Sequence, residues 1–312
     1  MPVDPTGRRG PTRNQATGPH WRRTSRGLYV PTSLTVAVVE QRIVEQEARL
    51  GRYGAVTGWA ALRWRGASYF EGWSPSDGVL PVPLAVGKEC LRPDPGFVGL
   101  RRQVPLWEWG LHRGLRCVTW ERALFDEIIR LGDPRAGAVA VDMCAAAGLG
   151  SVEDFWAFLD VVRPRNGVVL AREAAMLACG SHWSPPEAWM CQCWCLDAGL
   201  PKPLGNVPVF DLHGDLLGIP DLFDPVAGVV GEYQGAIHRD GDRHRLDVER
   251  AERFRGHGLE YFEVVAGQLR DVRTAYRMRS VRSRAAFLDP AERAWTLEAP
   301  AWWLDRHRNR AS

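Results

Sequence analysis

The sequence predicts a two-part α/β protein, with a mixed α+β N-terminal half followed by a C-terminal half of element order αβββαβ. Three observations predict it. The 312 residues exceed one ordinary domain. Short alternating runs between residues 79 and 118 give way to helical periodicity from Thr119 to Cys179. A hairpin pattern at 220–234 then sits between two helical stretches, 184–198 and 243–255. The expected divisions are a disordered basic arm (1–26), an α+β domain (27–180), an αβββαβ domain (181–278) and a C-terminal helix and tail (279–312).

Hydrophobic content of 45% supports real cores, and a formal charge of +3 does not by itself argue for nucleic acid. The basic residues are arginine except for Lys88 and Lys202. Arginine is the better bidentate phosphate ligand. No apolar core follows the N-terminal arginines, and no apolar run approaches the 18 residues a membrane span needs. Seven cysteines, an odd number in a long chain, fit reduced thiols and a cytoplasmic location.

Residues 1–26 carry six arginines against the single Asp4 among many Gly, Pro and Thr, which reads as a solvated basic arm. Residues 26–31 follow as a short strand. Thr35 to Leu50 reads as a helix because Val36, Val39, Ile43 and Leu50 recur on one face. Thr57 to Arg65 reads as a second, short helix. The runs 79–86, 98–102 and 115–118 suit a small antiparallel sheet. Thr119 is an N-cap candidate for the helix carrying Ala123, Leu124, Ile128 and Leu131, and Ser151 to Asp154 opens another. Asp126, Asp142 and Asp160 read as cap or surface charges on separate helices.

The hairpin holds the candidate chemistry. Pro220 to Phe223 form one strand, Asp224-Pro225 and Ala227-Gly228 the turn, and Val229 to Gln234 the second strand. Strand alternation puts Glu232 and Gln234 on one face, with Asp221 opposite them on the neighbouring strand. Two converging carboxylates make an oxygen-rich site suited to Mg²⁺, or Mn²⁺ in its place. Asp224 before proline is a turn starter. Glu187 has two readings: N3 of a capping box opened by Ser184, or a third carboxylate of the site. Cys191, Cys193 and Cys195 lack zinc-knuckle spacing and read as small buried hydrophobes, although Cys179 and His182 lie nearby. Asp247 and Arg250 share a face of the 243–255 helix, where arginines and acids interleave.

Pro220-Asp221, ten residues and then Glu232-Tyr233-Gln234 resemble the PD-(D/E)xK nuclease signature, with Gln234 where that pattern carries Lys. An amide offers a dipole where the pattern has a charge. Ser184 to about Arg270 resembles a Vsr-like, restriction-endonuclease-like domain through Ser184-Pro185-Pro186-Glu187, Ala198 to Pro201, Asn206 to Asp211, Glu232 to Gly235, His238, Asp247, Arg250 and Gly258. Residues 20–31, 54–61 and 117–126 are similar to AbiEi-type antitoxin proteins. The first of these resembles the wing of a winged helix whose preceding helices are degraded by Gly and Pro.

These resemblances imply Mg²⁺-dependent hydrolysis of DNA in a defence, repair or toxin–antitoxin setting. Asp221 and Glu232 would hold metal, and Gln234 and Glu187 would order water and ion. Arg250, His238 and Asp247 would flank the phosphate. The alternative is a DNA-binding regulator or antitoxin-like protein that retains the fold without cutting. A third reading is a partner-binding protein of such a module, using Trp-rich surfaces that include Trp302-Trp303.

Overall fold

In the computed structural model, ordered backbone begins at the N-terminus, where an unstructured arm was expected. Asp4 accepts hydrogen bonds from the backbone N–H groups of Thr6, Arg8 and Arg9. Met1 and Tyr29 exchange backbone bonds. Strand β1 (Trp21–Ser25) pairs antiparallel with β2 (Leu28–Pro31). A short acceptor side chain satisfying several N–H groups is what holds a Gly- and Pro-rich segment without a core. The structure describes residues 1–101, 103–162, 166–235 and 241–308, the side chains of 241–247, 270, 307 and 308 excepted.

The chain divides into two units, Met1–Ala175 and Met176–Ser312, a boundary a few residues before the expected one. The first unit continues with α1 (Val39–Glu47), β3 (Ala55–Val56), α2 (Gly58–Arg65), β4 (Trp73–Ser74), β5 (Gly78–Val79), β6 (Val82–Ala85), β7 (Phe97–Leu100), β8 (Trp109–His112) and β9 (Leu115–Val118). Helices α3 (Trp120–Leu131), α4 (Pro134–Ala146), α5 (Val152–Val161) and α6 (Val168–Leu177) follow. Helix α1 is shorter than its apolar spacing predicts: Val36 lies outside it and is exposed, while Ile43 is its buried anchor. The small sheet is mixed, not antiparallel. Its order is β7-β6-β3-β9-β8, with β6–β7 and β3–β9 parallel.

Thr119 caps α3 by accepting from the Arg122 N–H, and Ser151 and Asp154 close a full capping box on α5. Asp126 and Asp142 are buried, contrary to the surface reading, and Asp160 is exposed. Asp126 accepts from Thr57 Oγ1 at 2.7 Å and Arg122 Nε at 3.1 Å, while Arg122 Nη1 reaches Glu108 at 2.6 Å. A fully buried guanidinium between two carboxylates ties α3 to the chain ahead of α2 and to the segment before β8.

The second unit contains α7 (Pro185–Gln192), a π-helical turn (Cys193–Asp197), β10 (Val209–Asp211), β11 (Leu216–Gly218), β12 (Leu222–Asp224), β13 (Val229–Gln234), α8 (Gly241–Gly256), β14 (Glu260–Val265), α9 (Val272–Arg284), β15 (Trp295–Thr296) and α10 (Ala301–Arg308). Four strands, one more than expected, separate α7 from α8. They split between two three-stranded sheets, β12-β13-β14 and β11-β10-β15.

The central hairpin pairs Leu222 with Gly231, Phe223 with Val230 and Asp224 with Val229; β14 then lies parallel to β13. The two faces of this sheet are sorted by strand parity. Leu222, Val229, Phe262 and Val264 pack against Met190 and Trp194 on one side and against Ala275, Met278 and Val281 of α9. Phe223, Val230 and Tyr261 pack against Ala251 and Phe254 of α8, together with Val209, Leu217 and Trp295 from the second sheet. The C-terminal stretch therefore belongs to this unit instead of forming a separate tail. The paired tryptophans dock on the body, with Phe210 edge-on to Trp302 and Trp303 at 6.2 and 5.4 Å.

Candidate functional site

The register of β12 against β13 places Asp221 one step beyond the Leu222–Gly231 pair, opposite Glu232. Parity then puts Glu232 and Gln234 on the sheet face that α8 covers, joined by Glu263 from β14 through its pairing with Glu232, while Asp221 lies just ahead of β12 and turns its carboxylate to the Tyr233 N–H. Strand β12 begins at Leu222 and includes Asp224, so it is shifted from the expected Pro220 to Phe223 and leaves Asp221 before it. The face opens into a cleft of about 870 Å³, lined by Glu187, Asp221, Glu232, Gln234 and Arg250 among others.

Each acidic group already has local partners. Asp221 Oδ2 accepts from the Tyr233 N–H at 2.7 Å. Burial pushes the Asp221 carboxyl up to about 6; Glu187 adds to the rise, while the Tyr233 N–H, Arg250 and His182 oppose it. Glu232 is buried and its Oε1 lies 2.8 Å from Arg250 Nη2. That same nitrogen donates to the Ile219 carbonyl at 2.6 Å. Arg250 thus ties α8 to Glu232 of β13 and to the Ile219 carbonyl.

Glu187 takes the capping role more than the metal one. Its Oε1 accepts from Ser184 Oγ at 2.6 Å, and its Oε2 accepts from the Trp183 N–H at 2.8 Å and Asn206 Nδ2 at 2.7 Å. Ser184 does not return the bond expected of a full capping box. Asp224 is a turn residue, accepting from the Val226 and Ala227 N–H groups and pairing with Arg282 at 2.7 Å. His238 lies outside the described residues, as does the Asp247 side chain.

The donor set suits a hard cation in kind: two carboxylates and an amide oxygen in one cleft. It is not a preassembled three-carboxylate cage. Among the described residues, the group of three or more His, Cys, Asp or Glu ligand atoms gathered within 4.8 Å is Cys179, His182 and Cys191, so Glu187 does not close on Asp221 and Glu232. Two carboxylates would hold the ion, with water completing its shell.

Residues that sequence pattern did not single out line the same cleft: Arg255 of α8, Tyr261 and Glu263 of β14, and Tyr276, Arg277, Ser280 and Arg284 of α9. Tyr261 donates to Glu263 at 2.9 Å, and Arg277 donates to the Glu263 carbonyl at 2.8 Å. Arg277, Ser280 and Arg284 recur at helical spacing along α9, a signal visible in the sequence once the helix is known to reach Arg284.

A second cluster lies in this unit. Cys179 Sγ is 3.1 Å from Cys191 Sγ, with His182 buried beside them. Cys191 also hydrogen-bonds Cys195. The Cys179 thiol is held well below its ordinary value because it accepts from Cys191, whose own proton is correspondingly retained. Cys193 instead faces the core with Met190 and Trp194. The small-hydrophobe reading of the Cys run fits the burial of Cys191 and Cys193 and the packing of Cys195 against the same core, and Cys191 in addition meets Cys179 and His182.

Comparison with known proteins returns no matching family model, curated protein or solved structure. No helix among the described residues is long and apolar enough to cross a membrane.

Proposed function

We propose that the cleft of the second unit is a metal-dependent phosphodiesterase site acting on DNA. One observation carries this reading: Asp221, Glu232 and Gln234 line one arginine-rich cleft. The resemblance of their spacing to the PD-(D/E)xK pattern supports the same reading. Asp221 and Glu232 would hold Mg²⁺ or Mn²⁺, with Gln234 ordering water beside them. The chemistry a bound divalent ion supplies here is charge neutralisation at the phosphoryl oxygens and a more acidic water.

The protein's own groups do the rest. Even with burial raising its carboxyl to about 6, Asp221 is ionised at neutral pH and so available to a cation. Arg277 and Arg284 on α9 would meet backbone phosphates, and Tyr276, largely exposed beside them, offers a face for a base to stack on. Arg250 can serve Glu232 or a phosphate, and substrate binding must draw it from the first to the second.

A specific observation favours the second reading, a protein that binds DNA without cutting. Gln234 stands where the pattern has a cation, and the Glu232–Arg250 pair already neutralises one proposed metal ligand. The test is purified full-length protein incubated with supercoiled and linear DNA, with Mg²⁺ or Mn²⁺, beside an Asp221→Ala/Glu232→Ala double variant. Cutting by the wild type alone supports the nuclease. Cutting by both indicates a contaminant and removes the support, and binding without cutting by either moves the assignment to the regulator.

A further inference from the structure

We propose that Cys179, His182, Cys191 and Cys195 form a structural zinc site of Cys₃His type, fastening the segment ahead of α7 to that helix's C-terminal end. The proposal is independent of the chemistry assigned to the cleft.

Four observations carry it. First, the ligand atoms of Cys179, His182 and Cys191 already lie within 4.8 Å of one another. Second, Cys191 and Cys195 are four residues apart on the α7 end and its π-helical turn and are hydrogen-bonded, so Cys195, whose sulfur lies outside the 4.8 Å group, is the thiol next to it that can turn in as fourth ligand. The spacing is Cys-x₂-His, eight residues, then Cys-x₃-Cys: one pair from a turn, one from a helix face. Third, the donors are three sulfurs and an imidazole, a set that selects zinc over Mg²⁺ or Ca²⁺. Fourth, the surrounding chain is built closely around them. A Cβ on Gly205 would come within 2.6 Å of His182 Cε1, so only glycine lets the loop cover that ring.

The charge also balances. Three thiolates and a neutral imidazole around Zn²⁺ leave one net negative charge. Lys202, one of two lysines in the chain, donates to the Ala178 carbonyl at 2.9 Å and sets its ammonium beside the cluster. Tetrahedral ligation with Zn–S bonds of ~2.3 Å separates sulfurs by ~3.8 Å. The present 3.1 Å separation of Cys179 and Cys191 must therefore open by less than an ångström. A disulfide between the same two sulfurs would need a closure of about one ångström, to ~2.05 Å.

The experiment uses the full-length chain, purified and refolded under reducing conditions with zinc supplied, and measures metal by mass spectrometry after acid release. We expect about one zinc per chain. Cys179→Ser and Cys191→Ser should each lower it ~10-fold, while Cys193→Ser, two residues away on the core side, keeps it. Cobalt in place of zinc should give the intense visible bands of a tetrahedral ion with thiolate charge transfer in the near ultraviolet, and Cys195→Ser should weaken that transfer. The wild-type cobalt spectrum stands even if a serine variant fails to fold. Wild-type protein without stoichiometric zinc, zinc that survives Cys179→Ser, or a chain two hydrogens light with Cys179 joined to Cys191 would each overturn the proposal.

Discussion

Above pH 6 the cleft holds an ionised carboxylate that burial opposes. Asp221 titrates near 3.8 in an open chain and at about 6 when folded. The folded state therefore keeps this proton to higher pH than the unfolded state does. The stability that the neutral form contributes is complete below 3.8 and is lost as pH rises through 6; the ionised group then costs about 3 kcal/mol. Asp221→Asn keeps an acceptor for the Tyr233 N–H and removes that cost. It should melt several degrees above wild type at pH 7.5 and match it near pH 4, while abolishing any DNA cutting. Equal melting temperatures at both pH values would refute the burial argument. Gln234→Lys restores a positive charge beside the attacking water and should raise cleavage by ~10-fold or more; an unchanged rate would separate this position from the chemistry. The shared face of Glu232 and Gln234 was legible in the sequence because strand parity decides it, whereas Asp221, ahead of β12, escapes that rule. The burial of Asp126 was not legible. Arg122, four residues back on the same helix, is a partner local spacing can report, but the burial also depends on Thr57, 69 residues earlier in the chain, which no local pattern reports.

At the scale of elements, the hairpin was readable from its turn chemistry and the helix starts from their caps. Pairings between distant segments were not. Strand β8 carries two exposed residues, Gly110 and Leu111, and offers no alternation to find. The π-helical turn at Cys193–Asp197 is invisible to a 3.6-residue period, though the four-residue step from Cys191 to Cys195 survives it. Close packing of elements yields two tests. A Cβ on Gly231 would meet the Phe262 ring at 2.5 Å, in the layer where Trp194 stacks on Phe262 with centroids 5.9 Å apart. Gly231→Ala should cost ~2 kcal/mol by chemical denaturation with little change in slope. Arg277→Ala with Arg284→Ala should weaken DNA binding and lower its salt dependence by about one unit per lost phosphate contact. An unchanged slope would take α9 out of the interface.

At the scale of the whole molecule, the division into two units follows the composition of the chain, where short strands and a helical run precede the hairpin region. The sequence concealed how much of the C-terminal end belongs to the second unit. Trp295 packs edge-on against Phe223 at 5.1 Å, and β15 pairs Thr296 and Trp295 with Phe210 and Asp211. Removing residues 290–312 opens one side of β10 and takes a tryptophan from the core around Phe254. Such a truncation should lose the cooperative unfolding of the second unit and precipitate through the exposed strand, as heating followed by circular dichroism and light scattering would show.

The placement of β15 also sets an order of events during synthesis. The ribosome releases β10 about 85 residues before the strand that will lie along it. Until β15 has emerged, the nascent chain carries an open sheet edge and an unfilled aromatic slot, and a holdase chaperone would find its client there.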